Sequence, residues 1–247
     1  MIDQLKRHPF PVVAHFKFSL VLSYAMPQEV LQPLLPPHLE LDTFNDFGFV
    51  TVAMVQTENL RPAGFPEWMG QNFFLIGYRL FVRYHTTNGK RLRGLYILRS
   101  ETDKLLMKTL GNILTHYHYA LTDIQWNIKE KSISVVSKVS DLHVDVQWND
   151  ENSQLPENSV FTNWKEARRF AGPLPFTFDF EPKTNHMTII EGVRENWTPL
   201  PVNVQTARIG FLNNTPFDHP ELQLSNAFVV QNIPYRWEKG RIENVLQ

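Results

Sequence analysis

Strict alternation of apolar and polar residues constrains this chain more than any other feature. From Phe74 to Tyr84 the even positions read Phe74, Ile76, Tyr78, Leu80, Val82 and Tyr84, with Arg79, Arg83 and His85 among the odd positions that follow. Successive side chains of a strand point to opposite faces, so a period of two predicts β-structure. Ala14, Phe16, Phe18, Leu20, Leu22 and Tyr24 repeat the pattern and are expected on one face. Leu142, Val144, Val146 and Trp148 alternate with His143, Asp145 and Gln147. Further strands are predicted over Phe47–Thr57, Leu92–Arg99, His116–Ile128, Ser132–Ser140, Phe176–Phe180, Met187–Arg194, Val202–Ile209 and Ala227–Ile233.

Helices are few. Pro27 suits a first helical turn, and Pro33, Pro36 and Pro37 end that helix quickly. Ser100-Glu101-Thr102-Asp103 reads as a capping box ahead of Leu106, Leu110, Ile113 and Leu114. A third helix is predicted from Asn163 to Ala171, capped by Asn163 and stopped by Gly172-Pro173. Polar residues from Asn149 to Ser159 read as a connection within one domain. Many strands and three short helices make the chain mainly β (α+β), a curved antiparallel sheet or barrel over residues 1–247.

A chain of 247 residues can bury a large core without staples. The absence of cysteine excludes disulfides, thiolate nucleophiles and cysteine-ligated metals. A net charge of −1 with interleaved signs argues against nucleic acid, and no apolar run is long enough to span a membrane. The opening MIDQLKRHPFPVV lacks an apolar leader, so a cytoplasmic location is expected. No phosphate-cradling glycine loop, zincin helix or nucleophile elbow is present, and no cofactor is called for.

The candidate site residues are charged or phenolic groups set among apolar strands. Arg79 and Arg99 could each hold an anion through a forked guanidinium, or simply be solvated or ion-paired. Glu101 and His118 are the candidate proton-handling groups, and Glu101 could instead complement a helix N-terminus. Tyr96, Tyr117 and Tyr119 would line the wall of a pocket. On a strand, His116 and His118 would share a face, and with His15, Glu101 or Asp103 could form a metal site; half-exposed packing is the alternative. The Phe16/Phe18 and Phe176/Phe178/Phe180 stripes read as core.

Leu34-Leu35-Pro36-Pro37-His38-Leu39-Glu40-Leu41-Asp42, followed by Phe44 and Gly48-Phe49-Val50, resembles the opening of the YqjF-like uncharacterised family (domain of unknown function 2071). Tyr78–Val82, Arg93–Ser100 and Gly111–Tyr117 resemble its later motifs. That family is similar to acetoacetate decarboxylase. The resemblance implies an antiparallel β-barrel or cone with a buried pocket. In the decarboxylase a segment ending in Pro-Lys-Lys carries the Schiff-base lysine. His118, Tyr119 and Ala120 stand in the corresponding places here, so the amine nucleophile is missing.

The expected function is binding of, or action on, a small carboxylate or carbonyl compound without Schiff-base chemistry. The alternative is a non-catalytic barrel that serves protein contacts or self-association as a homo-oligomer. Its surface would be the loop Leu60–Met69, with Phe65 and Trp68, unless that loop folds over the barrel as a lid.

Overall fold

The computed structural model describes residues 6–148, 154–172 and 174–245. Part of the predicted connection at 149–153, and Pro173 of the predicted helix stop, lie outside these residues. In chain order the strands are β1 (Val12–Pro27), β2 (Leu39–Leu41), β3 (Phe47–Pro62), β4 (Gln71–His85), β5 (Arg91–Thr102), β6 (Tyr119–Leu121), β7 (Gln125–Lys129) and β8 (Ser132–Ser137). They continue with β9 (Leu142–Gln147), β10 (Phe176–Glu181), β11 (His186–Arg194), β12 (Leu200–Pro201), β13 (Asn203–Ile209), β14 (Gln223–Trp237) and β15 (Arg241–Asn244). Short helices span Gln28–Leu31, Leu105–Leu114 and Trp164–Phe170.

The large sheet closes on itself. Its path runs β14-β1-β3-β4-β5-β10-β11, and β11 pairs again with β14 through Gly192–Trp237, Val193–Arg236 and Arg194–Tyr235. Most pairings are antiparallel, as expected, but β10 and β6 each join β5 in parallel. Closure removes the free sheet edges that would otherwise invite aggregation. A second sheet, ordered β13-β9-β8-β7, packs on the ring.

Alternation explains the core. Leu20, Leu22, Val52, Ile76 and Leu80 on one face of the ring cluster with Val135, Leu142 and Val144 of the small sheet. Each such side chain contributes roughly 1.5–3 kcal/mol on burial. The alternation of β1 is nevertheless interrupted. Its register with β3 slips between Phe16 and Phe18, so Ala14 and Phe16 join a different cluster from Phe18, Leu20 and Leu22. The expectation of a single face from Ala14 to Tyr24 is corrected by that bulge, which turns the strand over at Lys17.

Local chemistry sets the helices. Asn163 caps Trp164–Phe170 by accepting from the Glu166 N–H at 2.9 Å, as its sequence position predicts. The capping box at Ser100–Asp103 does not form. β5 runs on to Thr102, Lys104 is the residue ahead of the helix, and Asp103 instead accepts from the Phe74 N–H at 2.7 Å. Near β2, the fully buried Asp42 carboxylate accepts from Arg83 Nε and Arg93 Nε, each at 2.5 Å. The Lys90–Arg93 basic cluster is therefore partly a structural clamp.

No helix among the described residues is long and apolar enough to cross a membrane.

Candidate functional site

The ring faces a cavity of about 660 Å³, and each of its seven strands contributes to the wall. That volume lies within the ordinary range for small-molecule sites. Val21, Ala53, Phe81, Ile97 and Phe228 give the wall its apolar character, and the helix Leu105–Leu114 covers one side.

Arg79 belongs to this wall. It shares the odd face of β4 with Leu75, Gly77 and Phe81, opposite the packed face of Tyr78 and Leu80. Its Nε is buried and lacks a hydrogen-bond partner, and it forms no ion pair among the described residues. Burial lowers the guanidinium pKa, opposed by the phenols of Tyr235, Tyr119 and Tyr117. An arginine remains cationic at neutral pH even so. A buried charge with no counter-charge is the most costly group in such a wall.

Tyr117 and Tyr119 also line the cavity, with ring centroids 6.4 Å apart. Burial pushes the Tyr119 phenol up to about 12 and the Tyr117 phenol well above its ordinary value. Both are therefore neutral at physiological pH and able to donate a hydrogen bond. Gly111 of the covering helix makes room for Tyr119, because a Cβ there would lie 2.4 Å from its ring.

The other predicted residues sit elsewhere. Tyr96 packs against the main core on the opposite face of β5. Arg99 is 47% exposed and pairs with Glu101 Oε1 at 2.9 Å. Glu101 is only 2% exposed, but its other oxygen accepts from the Tyr78 hydroxyl at 3.2 Å and does not belong to the cavity wall. The reason is a bulge. Tyr78 pairs with Arg99 and Arg79 with Ile97, so Leu98 is an extra residue that turns Arg99 away from the face of Ile97 and Leu95.

His118 is exposed, with φ of 51°. The strand predicted from His116 is corrected: β6 starts only at Tyr119, and His116 and His118 do not share a strand face. His116 Nδ1 bonds Asp179 Oδ2 of β10. No group of three or more metal-ligating side chains forms among the described residues.

Lys104, just ahead of the helix Leu105–Leu114, reaches the cavity rim. It is exposed and its ammonium lies 3.5 Å from Asp103, so it is not a desolvated amine of the kind that forms Schiff bases. Phe16 likewise lines the cavity, whereas Phe18 and Phe178 are core.

Sequence reasoning missed Arg194, Trp197 and Tyr235, all of which line the cavity. A signal was available. Arg79 and Arg194 each follow a glycine by two residues on a strand, as Gly77-Tyr78-Arg79 and Gly192-Val193-Arg194.

A family model described as an uncharacterized conserved protein, DUF2071, matches residues 14–234. The chain belongs to this family. Its fold is that of acetoacetate decarboxylase-like proteins. The crystal structure of acetoacetate decarboxylase from Legionella pneumophila matches with a TM-score of 0.63 at 12% identity, over 95% of this chain and 88% of that one. An acetoacetate decarboxylase-like enzyme from Sphingomonas wittichii matches with a TM-score of 0.55 at 10% identity, over 98% and 96%. The enduracididine biosynthesis enzyme MppR, solved with pyruvate, matches with a TM-score of 0.55 at 10% identity, over 96% and 91%. No curated protein matches the chain. At these identities the DUF2071 chain shares the scaffold.

Proposed function

We propose that this DUF2071 protein binds a small carboxylate with an apolar body inside the ring of a single acetoacetate decarboxylase-like domain. The observation that carries the reading is the half-buried Arg79 guanidinium, its enclosed Nε without a partner, in a wall that contains no aspartate or glutamate among the described residues. A carboxylate bound there would supply the missing counter-charge, and the guanidinium fork suits its two oxygens. Tyr117 and Tyr119 would add neutral donors, while the apolar wall takes the rest of the molecule. Pyruvate in one solved neighbour is a small carboxylate held on the same scaffold. The cysteine-free chain suits a cytosolic setting.

The site holds its ligand without an amine nucleophile. Thermal shift tests this reading: hexanoate should raise the melting temperature by mass action, whereas hexylamine should not. Borohydride treatment with acetoacetate should leave the protein mass unchanged. A borohydride-stabilised adduct would contradict the absence of Schiff-base chemistry, and indifference to every carboxylate would contradict the site.

The second reading, a barrel for self-association, draws on Trp68, which is 83% exposed beside exposed Phe65 and Met69. Leu60 and Arg61, which belong to β3 rather than to the predicted loop, and Met69 reach the cavity rim, so the segment between them also has the position of a lid. Light scattering on Trp68→Ala separates the two. Self-association through this loop predicts a lower mass than wild type, and an unchanged mass removes it.

A further inference from the structure

Arg79 has a companion. Arg194 ends β11 and faces the same cavity, with its guanidinium carbon 4.6 Å from the Trp197 ring centroid and 5.7 Å from that of Tyr235. Stacking of this kind holds a guanidinium plane in place and leaves its N–H edges free to donate. One of those nitrogens, Nη2, is buried without a hydrogen-bond partner, and so is the indole nitrogen of Trp197. Gly192 makes the arrangement possible, because a Cβ there would lie 2.0 Å from the Tyr235 hydroxyl.

The two cations sense each other. Burial lowers the pKa of Arg79 and the charge on Arg194 lowers it further, while Tyr235 opposes the shift at both arginines. Arg61 and Lys104 also line the cavity, but each has an acidic neighbour outside the wall, Glu67 at 3.5 Å and Asp103 at 3.5 Å. Arg79 and Arg194 have none among the described residues. The uncompensated charge of the cavity therefore resides on these two groups. Buried donors that lack acceptors in a native fold require an explanation, and a bound anion at this cavity is one that also supplies the counter-charge.

We infer that the natural ligand carries two acidic groups, one held by Arg79 and the other by Arg194 with the Trp197 N–H, joined by an apolar stretch. The inference rests on the carboxylate-binding reading and adds the second acid to it. Monoanions would fill half of the site. Dianions would fill both halves, and the apolar lining of the cavity would select a hydrocarbon link over a hydroxylated one.

Calorimetric titration compares hexanoate with adipate and octanoate with suberate, on wild type, Arg79→Met and Arg194→Met. The expected result is that at least one dicarboxylate binds wild type about tenfold or more tighter than its monocarboxylate partner. In Arg194→Met that preference should vanish, the dicarboxylate and the monocarboxylate then binding with equal affinity. Should Arg194→Met fail to fold, Arg194→Gln carries the same expectation. Equal binding of both acids by wild type, or a preference that survives loss of Arg194, overturns the inference. Monocarboxylate binding that depends on Arg79 would then leave the simpler reading standing. No binding of either class overturns both.

Discussion

Arg79 lies flat against the backbone of Gly77, two residues earlier on β4: a Cβ at Gly77 would sit 2.8 Å from Arg79 Nε and 2.9 Å from Nη2. The glycine thus provides the bed in which the guanidinium rests. A glycine in a strand interior weakens the strand and often marks a close approach. Here the approach is by a side chain rather than by a backbone.

Gly77→Ala should therefore separate stability from binding. The group that must move is the far end of a flexible side chain, so unfolding free energy should change by less than about 1 kcal/mol, with strand propensity offsetting the crowding. Carboxylate affinity should fall about tenfold as the guanidinium is displaced. Urea unfolding and calorimetry on the same protein check both halves.

Gly94→Ala should behave in the opposite way. A Cβ at Gly94 would lie 2.2 Å from the Phe176 carbonyl oxygen, where β5 meets β10 in parallel. Backbone cannot step aside cheaply, so a loss of about 3 kcal/mol is expected. A urea midpoint close to that of wild type would contradict the close packing at this seam.

Asp42→Ala should cost about 3 kcal/mol, because it leaves both Arg83 and Arg93 without their shared carboxylate. Partial exposure of the two arginines keeps the loss at the lower end of the range for broken buried pairs. Arg83→Ala alone should cost less, since Arg93 still neutralises the acid. Chemical denaturation of the two variants makes the comparison.

Acid should release a second clamp. Burial alone would raise the Glu181 pKa, but bonds from Arg7 at 2.7 Å and Thr184 at 2.9 Å outweigh it and hold the carboxyl below its ordinary value of 4.5. The folded pKa is thus below the unfolded one, and the unfolded chain binds more protons as pH falls. The stability from Glu181 is complete above pH 4.5 and is lost as pH drops through the folded value. Glu181→Gln should be less stable than wild type at neutral pH and should lose less between pH 4.5 and lower values. Unfolding midpoints measured across that window test the sign.

Much of the ring was legible because period-two alternation is a local signal. Phe74–Tyr84 and Leu142–Gln147 form strands where the pattern predicts them, and the strand predicted over Ser132–Ser140 ends at Ser137. What the pattern could not supply is which face of a doubly apolar strand meets a cavity. Around Arg79, Leu75 and Phe81 look as buried as Ile76 and Leu80, and only the closure of the ring through β11 and β14 distinguishes them. Bulges hid two further features. The slip beside Lys17 exchanges Phe16 between faces, and the extra residue at Leu98 sends Arg99 outward. Tyr117 and Tyr119 reach the cavity from a segment that is not a strand until Tyr119, with a left-handed backbone at His118 between them. Arg194 depends on a cross-strand neighbour, Tyr235, that is far away in sequence. No local pattern contains that partner.

The central proposal is that the unpaired Arg79 guanidinium in the cavity wall binds the carboxylate of a small ligand. Calorimetric titration of octanoate into wild type and Arg79→Met addresses it most directly. Loss of the charged partner should weaken binding about thirtyfold or more, with the fold intact by circular dichroism. Equal affinity in the two proteins would contradict the account.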